Sequence, residues 1–549
     1  MSMAITVKQI SSLEKVRKHD PLRHTELHHQ AALAGQRLSY QIAVRSDDMM
    51  IVKVSVESAL CPYVQLFSVR DAVMDDPVAG IAPTEDYITQ EPGLMPDILV
   101  PLSKTDASFS AGIPNHCIWV RVDLPRDLAA GTHHIRIRLA FYRPNGELAQ
   151  TVDRDMELRV IPAVMPEQQI HYTRWIYLDC IATAHNVEIF SEAHWQLIEK
   201  YIAAAADLGI NMLLVPVHTP PLDTQVGTQR PCVQLVDIKK VGSTYRFSFE
   251  KFHRYICLCK KHNIRCFEIA HMYSQWGAKF APNILVTENG RTDYRFGWHT
   301  ASDSADYVDF LKQYISAIRQ ALEAEGISDR TYFHISDEPN LTNMESYKAA
   351  SRIIRPLIGS SRILDAISNF DFYAQGLMEC PVTDIQCIHD FLPHNVPDQW
   401  AYYCCNPRSG YPNSFLAQHS YLTRLLGFLM YKYQIKGFLH WGLNYYNACR
   451  SMYPIDPYMT TSGDGAYPSG DPFILYPGKE AVYASIRGEV TFDAIQDMKI
   501  CYALEQKIGR EKVVNMIDEA AGFDLRFDHY PRSCDYLLSL RERMLSAMI

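Results

Sequence analysis

Up to about Ile161, apolar and polar positions alternate with period two: Val52, Val54 and Val56 are interleaved with Lys53, Ser55 and Glu57, and Ile135, Ile137 and Leu139 with Arg136 and Arg138. Side chains alternate faces along a strand, so this pattern predicts half-buried antiparallel strands. Cys117 to Asp123 and Met156 to Ile161 read the same way, which predicts a β-sandwich closed before the linker Pro162 to Gln169. From Arg174 onward the period changes, and short apolar strands alternate with amphipathic helices. Strands are predicted at Trp175 to Leu178, Ile210 to Val217, Ile264 to Ala270 and Thr331 to Ile335. Helices are predicted at Glu192 to Leu208, capped by Ser191 and stopped by Gly209, at Phe249 to His262 and at Ser302 to Glu325. Four further strands are read near Arg362 to Ala366, Asp384 to Ile388, Trp400 to Cys404 and Gly437 to Trp441, with a helix over Ser414 to Tyr433. Eight such units match a (β/α)8 barrel; a doubly wound sheet has no G-x-G-x-x-G or P-loop to support it. The expected organisation is a β-sandwich over 1–165, a (β/α)8 TIM-like barrel over 166–490 and a C-terminal helical segment over 491–549 packed on the barrel.

A chain of 549 residues exceeds what one hydrophobic core serves, in line with several domains. The formal charge of -9, with Lys and Arg scattered along the chain, argues against nucleic acid as a partner. No run reaches membrane-spanning length, and the start lacks a charged region followed by an apolar core. The chain as read is therefore expected to be cytoplasmic and without a membrane partner, although a leader removed beforehand would leave the same sequence. The 14 cysteines contain no C-x-x-C pair, so they read as mostly buried thiols in a reducing compartment.

The chemistry concentrates at Asp337-Glu338-Pro339, directly after a short apolar run. In a barrel, residues at the C-terminal ends of strands form the site, and two adjacent carboxylates there can take two roles. The competing structural role is as helix caps, since acids suit a helix start and Pro339 a first turn. The other predicted strand ends supply rings and hydrogen-bonding groups, among them Tyr273, Trp276, Tyr402, Trp441 and Asn444. Aromatic platforms beside polar groups suit the apolar face and hydroxyl edge of a pyranose. His334, one residue inside its strand, reads as a hydrogen-bonded core histidine. Beyond the barrel, the Gly/Pro-rich segment Pro454 to Gly478 is long enough to be functional, and the helical tail is expected from about Asp493.

Asp-Glu-Pro ending strand four resembles the Asn-Glu-Pro of the retaining barrel glycosidases, in which that glutamate is the general acid/base. Double displacement needs a second carboxylate about 5 to 5.5 Å away, normally a glutamate ending strand seven. Neither Trp400 to Pro407 nor Gly437 to Asn447 contains an acid. The remaining retaining route is substrate assistance by a 2-acetamido group, with Asp337 accepting the acetamido N–H and Glu338 protonating the leaving oxygen. These residues, together with Gly470-Asp471-Pro472-Phe473 to Gly478, Ser485-Ile486-Arg487-Gly488-Glu489, Pro220 to Thr224 and Trp400 to Cys404, resemble glycoside hydrolase family 123 and the related domain-of-unknown-function 4091 proteins, over roughly 170 to 510. The chain departs at Gly488, where the family usually has Leu, and at Gln496-Asp497-Met498, where it has Glu-Asp-Tyr. The resemblance implies an N-terminal β-sandwich, a barrel and β-N-acetylgalactosaminidase activity, with the adjacent acid pair mapping onto Asp337 and Glu338. Substrate contacts are expected from Tyr273, Trp276, Tyr402, Trp441, Asn444, Asp471 and Arg487, the last of which reads equally as a structural ion pair.

No cofactor and no metal is expected, and the partner is a glycan or glycoside; a homo-oligomer is compatible with the sequence. Two other classes compete. A metal-dependent sugar isomerase or lyase would draw on His218, Glu268, His271, His389 and Asp390, although no H-x-x-x-H or H-E-x-x-H spacing is present among them. A non-catalytic glycan-binding protein would use the sandwich. An inverting glycosidase would need Asp390 or Asp179 as its base.

Overall fold

The computed structural model describes residues 4–81, 84–104, 106–479 and 481–549. Eight parallel strands close a barrel in chain order: His171–Arg174, Met212–Val215, Cys266–Ile269, Thr331–Phe333, Arg362–Ile367, Cys380–Asp384, Trp400–Tyr402 and Gly437–His440. The last pairs with the first, Tyr172 opposite Phe438. The helix Glu192–Asp207 starts where its signals place it, with the Ser191 hydroxyl accepting from the His194 N–H, and Gly209 follows it at φ 80°.

Two strands lie elsewhere than predicted. The first is His171–Arg174 rather than Trp175 to Leu178, and Leu178 opens a helix instead. Its polar residues hide it: Arg174 is buried there, bonding the Tyr172 hydroxyl and the Gly442 carbonyl. The sixth is Cys380–Asp384 rather than Asp384 to Ile388; Pro381 within it weakens any strand signal. That shift puts Asp384 at the rim, whereas His389 lies 3.4 Å from Asp528, away from the strand ends.

Before the barrel, a seven-stranded and a five-stranded sheet pack face to face through a core that includes Tyr40, Ile42, Ile118 and Val120 on one side and Val52, Ile137, Leu139 and Leu158 on the other. The larger sheet is completed from the far end of the chain. Val482–Ser485 pairs with Gly93–Pro101, and Tyr476–Pro477 pairs outside it. Arg487, just beyond, locks this junction with a buried ion pair to Asp97 (2.8 Å). The helix Ile486–Ile508 then crosses Ser420–Lys432 so closely that a Cβ on Gly427 would meet the Ala494 carbonyl at 2.0 Å. Excursions after the second and third barrel strands form a separate four-stranded sheet, which hydrophobic periodicity alone does not reveal. All 14 cysteines are free, but only six are buried and three are exposed, so the thiols are less sequestered than expected. No helix among the described residues is long and apolar enough to cross a membrane.

Candidate active site

Strand four hands its chain to Asp337 and Glu338 through a segment gripped on both sides. On one side, the Met272 and Tyr273 N–H groups donate to the His334 and Ile335 carbonyls (3.2 and 3.0 Å), and the Trp276 N–H donates to the Asp337 carbonyl (2.9 Å). On the other, Asp365 at the heart of strand five accepts from the N–H of Ile335 (3.1 Å to each oxygen) and of Ser336 (3.4 Å). Its Oδ1 also takes His334 Nδ1 (3.0 Å), and its Oδ2 the Tyr347 hydroxyl (2.5 Å). One buried carboxylate thus fixes the backbone leading to the acid pair.

Glu338 sits at φ 42°, a left-handed conformation uncommon for a residue with a Cβ and a mark of a site where surrounding structure imposes the backbone. Pro339 bars the right-handed helical region from the residue before it. The helix-cap role falls to Asn340 instead, whose side chain accepts from the Thr342 N–H (2.9 Å) while Asn343 Oδ1 accepts from the Asn340 N–H (2.9 Å). Both acids are left to face an open cleft.

Trp175, Tyr177, Trp276, Tyr402, Trp441 and Tyr467 ring that cleft. The Tyr402 hydroxyl donates to Glu338 Oε1 (2.7 Å). Trp441 is held by its indole N–H on Asp471 Oδ2 (2.9 Å) and packs against Tyr467, with ring centroids 5.0 Å apart. Trp276, 40% exposed and at φ 58°, forms an open aromatic lip with the Arg450 guanidinium over it. Asp223 lies on the wall, taking the Tyr467 hydroxyl and the Arg450 N–H, while its own N–H donates to Gln275 Oε1.

Burial pushes the Asp337 carboxyl well above the ordinary carboxylate range and neighbouring Glu338 pushes it further, with His334 pulling the other way. Glu338 is raised by burial, partly offset by the Tyr402 hydrogen bond. Such a pair holds a proton near neutrality. Asp384, at the end of strand six, is held up to about 6 by burial, with Glu338 adding to it.

Beneath the pair, His334 is fully buried between Asp365 and Glu268 (Nε2 to Oε2, 2.9 Å). Trp175 Nε1 donates to the same Glu268 oxygen at 3.0 Å. Burial alone would make this imidazole neutral, but the hydrogen bonds to Asp365 and Glu268 outweigh it and hold it protonated, up to about 9. His271, His334 and Asp365 bring ligand atoms within 4.8 Å of one another. The two rings stack at 4.1 Å and 16°, so their in-plane lone pairs run parallel instead of converging, and both His334 nitrogens are already hydrogen-bonded. This grouping is built as an ion-pair network rather than as a metal centre.

Of the residues singled out in the sequence, Asp337, Glu338, Trp276, Tyr402 and Trp441 line one cleft. Tyr273 is buried edge-on against Tyr307. Asn444 clamps the backbone of Tyr177, accepting from its N–H and donating to its carbonyl (3.0 Å each). Asp471 lies behind Trp441, pushed up to about 7 by burial against the pull of the Trp441 N–H and nearby arginines. Arg487 holds Asp97 and the Phe473 carbonyl (2.9 Å). These four support the site's walls from outside the cleft. Asp179 is closed off in a buried pair with Arg230, and Asp390 does not line the cleft. Trp175, Tyr177, Asp223, Gln275, Cys404, Cys405 and Tyr467 line it without having been singled out as contacts, although Asp223 and Cys404 lie in stretches that carry the family resemblance and Tyr467 in the long Gly/Pro segment. A larger cleft, about 1420 Å³, opens between the sandwich and the tail helices, but its arginines are engaged by acids, Arg424 by Asp497 and Arg159 by Glu542.

A family model described as Glycoside hydrolase 123, catalytic domain, matches residues 175–504. Among solved structures, a family 123 glycoside hydrolase from Clostridium perfringens, studied for glycolipid glycan hydrolysis, superposes with TM-score 0.75 at 15% identity, over 99% of this chain and 98% of that one. A β-glucuronidase from Bifidobacterium dentium aligns over 90% of this chain and 66% of its own at 7% identity, with TM-score 0.31, too low to argue from. A search of curated proteins found no match.

Proposed function

The chain belongs to glycoside hydrolase family 123, and from that premise we propose that it removes terminal β-linked N-acetylhexosamine, with N-acetylgalactosamine the preferred sugar, by a retaining mechanism assisted by the substrate's own acetamido group. The observation that carries this reading is the make-up of the cleft. Adjacent Asp337 and Glu338 share it, while the ends of strands seven and eight contribute Tyr402, Cys404, Cys405, Leu439 and Trp441 and no carboxylate. Asp223, the other lining carboxylate, already holds the Tyr467 hydroxyl and the Arg450 N–H.

In this mechanism Glu338 gives its proton to the glycosidic oxygen as the acetamido carbonyl oxygen attacks the anomeric carbon from the opposite face. Asp337 accepts the acetamido N–H, orienting that oxygen and stabilising the positive charge of the oxazolinium-like intermediate. The N–H donor favours the anion at Asp337, which leaves the pair's proton on Glu338, where it is needed. Water then opens the ring with Glu338 as base, and retention results from two inversions. Trp175 and Trp441 supply apolar faces for the pyranose. The galacto preference rests on the family resemblance, and the glycolipid glycans studied with the Clostridium perfringens enzyme are the first natural substrates to try.

Nitrophenyl N-acetyl-β-galactosaminide should be cleaved faster than the glucosaminide, with the β-anomer formed first by NMR and inhibition by a thiazoline analogue. Glu338→Gln should cost roughly 10²- to 10⁴-fold in kcat/KM on substrates with poor leaving groups. Equal cleavage of the de-acetylated sugar, or a glycosyl ester trapped on the protein, would overturn the assisted mechanism.

A further inference from the structure

We propose that Cys404 and Cys405 form a two-thiolate site on the wall of the catalytic cleft that takes a soft divalent cation of the zinc and cadmium kind. In an extended strand, neighbouring side chains point to opposite faces, which keeps adjacent sulfurs apart. Here strand seven ends at Tyr402 and the chain bends at 404–405. Both cysteines consequently line the same cleft as Glu338, with their Sγ atoms 3.9 Å apart. Among the described residues no other two cysteine sulfurs make contact.

The separation suits a bridging ion better than a direct bond. A tetrahedral ion with metal–sulfur bonds of about 2.3 Å places two thiolates roughly 3.8 Å apart, so the pair needs almost no movement to bind one. A disulfide requires sulfurs at about 2.05 Å, which two adjacent residues reach only with backbone distortion. Thiolates select soft cations, and the ion's remaining positions face the open cleft, where water completes them. Binding replaces two S–H protons by one M²⁺ and releases two H⁺, with no redox change. Because binding releases protons, capture strengthens as pH rises. An ion there occupies space beside Glu338 and Tyr402 and obstructs the sugar. This inhibitory consequence rests on the function proposed above; the binding itself does not.

Full-length protein titrated with Cd²⁺ should develop the ultraviolet sulfur-to-cadmium charge-transfer band, saturating at one ion per chain. Cys404→Ser and Cys405→Ser should each lose it, and Cys257→Ser, at an exposed single thiol, should keep it. On wild-type protein, which removes any question of variant folding, the dithiol crosslinker dibromobimane should join Cys404 to Cys405 by peptide mapping, and Cd²⁺ should block that product. No band at one equivalent, a band that survives both serine variants, or crosslinking indifferent to Cd²⁺ would overturn the site. Glycoside hydrolysis should fall in step with the band and return with EDTA. Cadmium bound without loss of hydrolysis would overturn the placement beside the acid, and a protein that binds cadmium but hydrolyses no glycoside would count against the functional reading alone.

Discussion

Replacing Asp365 by Asn tests whether the floor of the site is held by a buried charge. His334 is shut off from solvent with Asp365 at 3.0 Å and Glu268 at 2.9 Å, and its proton is retained up to about 9. Against an ordinary histidine near 6.5, a hold of that size is worth roughly 3 kcal/mol of folding stability at neutral pH. Because the folded-state value is raised, this stability is present in full below about pH 6.5 and disappears as pH climbs through about 9. In Asp365→Asn the imidazolium keeps only Glu268, and an amide NH₂ must face at least one of the N–H and O–H donors that Asp365 now accepts. Breaking a buried pair in this way costs about 3 to 5 kcal/mol. The same carboxylate anchors the backbone leading to Asp337 and Glu338, and misplacement by about 1 Å costs on the order of 10²-fold in rate. Thermal unfolding followed from pH 6 to 10 should show wild type losing stability toward the alkaline end, and the variant already low at pH 7 and nearly flat. Parallel profiles for the two proteins would mean that His334 is uncharged in the folded state, and the argument from the ion-pair network would fail.

Tyr402→Phe removes the hydrogen bond that favours ionised Glu338. The alkaline limb of the kcat/KM profile should move upward while its plateau drops by roughly tenfold. Asp337→Asn should lower kcat/KM on acetamido sugars by about 10²- to 10³-fold. The same change should stabilise the protein. An acid whose folded-state value is raised costs stability as pH rises above its unfolded value, so the variant should gain stability at pH 7 and nothing at pH 3, read as paired thermal unfolding curves. Arg487→Gln leaves Asp97 buried without its partner and should destabilise by about 3 to 5 kcal/mol. Because the guanidinium lies outside the cleft, kcat/KM per folded molecule should stay within about threefold of wild type, a change of less than ~1 kcal/mol; active-site titration alongside unfolding separates the two effects.

Periodicity and local signals determined a large part of this protein. Alternation in the first part of the chain announces sheets, and the change of period announces the barrel, because burial of one face is written into each segment's own residues. Ser191 and Gly209 mark a helix correctly because capping involves only neighbours within a turn. The acid pair after strand four was legible for a similar reason: an apolar run ending in Asp-Glu-Pro is a local pattern. Tertiary structure decided what depends on distant partners. Arg174 is accommodated in a strand because the Tyr172 hydroxyl and the Gly442 carbonyl bond it within the barrel. The larger sandwich sheet closes with Val482–Ser485, nearly 400 residues beyond the strand it joins. Asn444 and Arg487 have side chains as suited to a sugar as to a backbone clamp or an ion pair, and only the positions of Tyr177 and Asp97 select between these uses. Asp365 carries no local mark at all, since its importance comes from donors that strand four and Tyr347 deliver to it. A hydrogen bond or buried ion pair is a property of two places at once, and the second place is supplied by the fold.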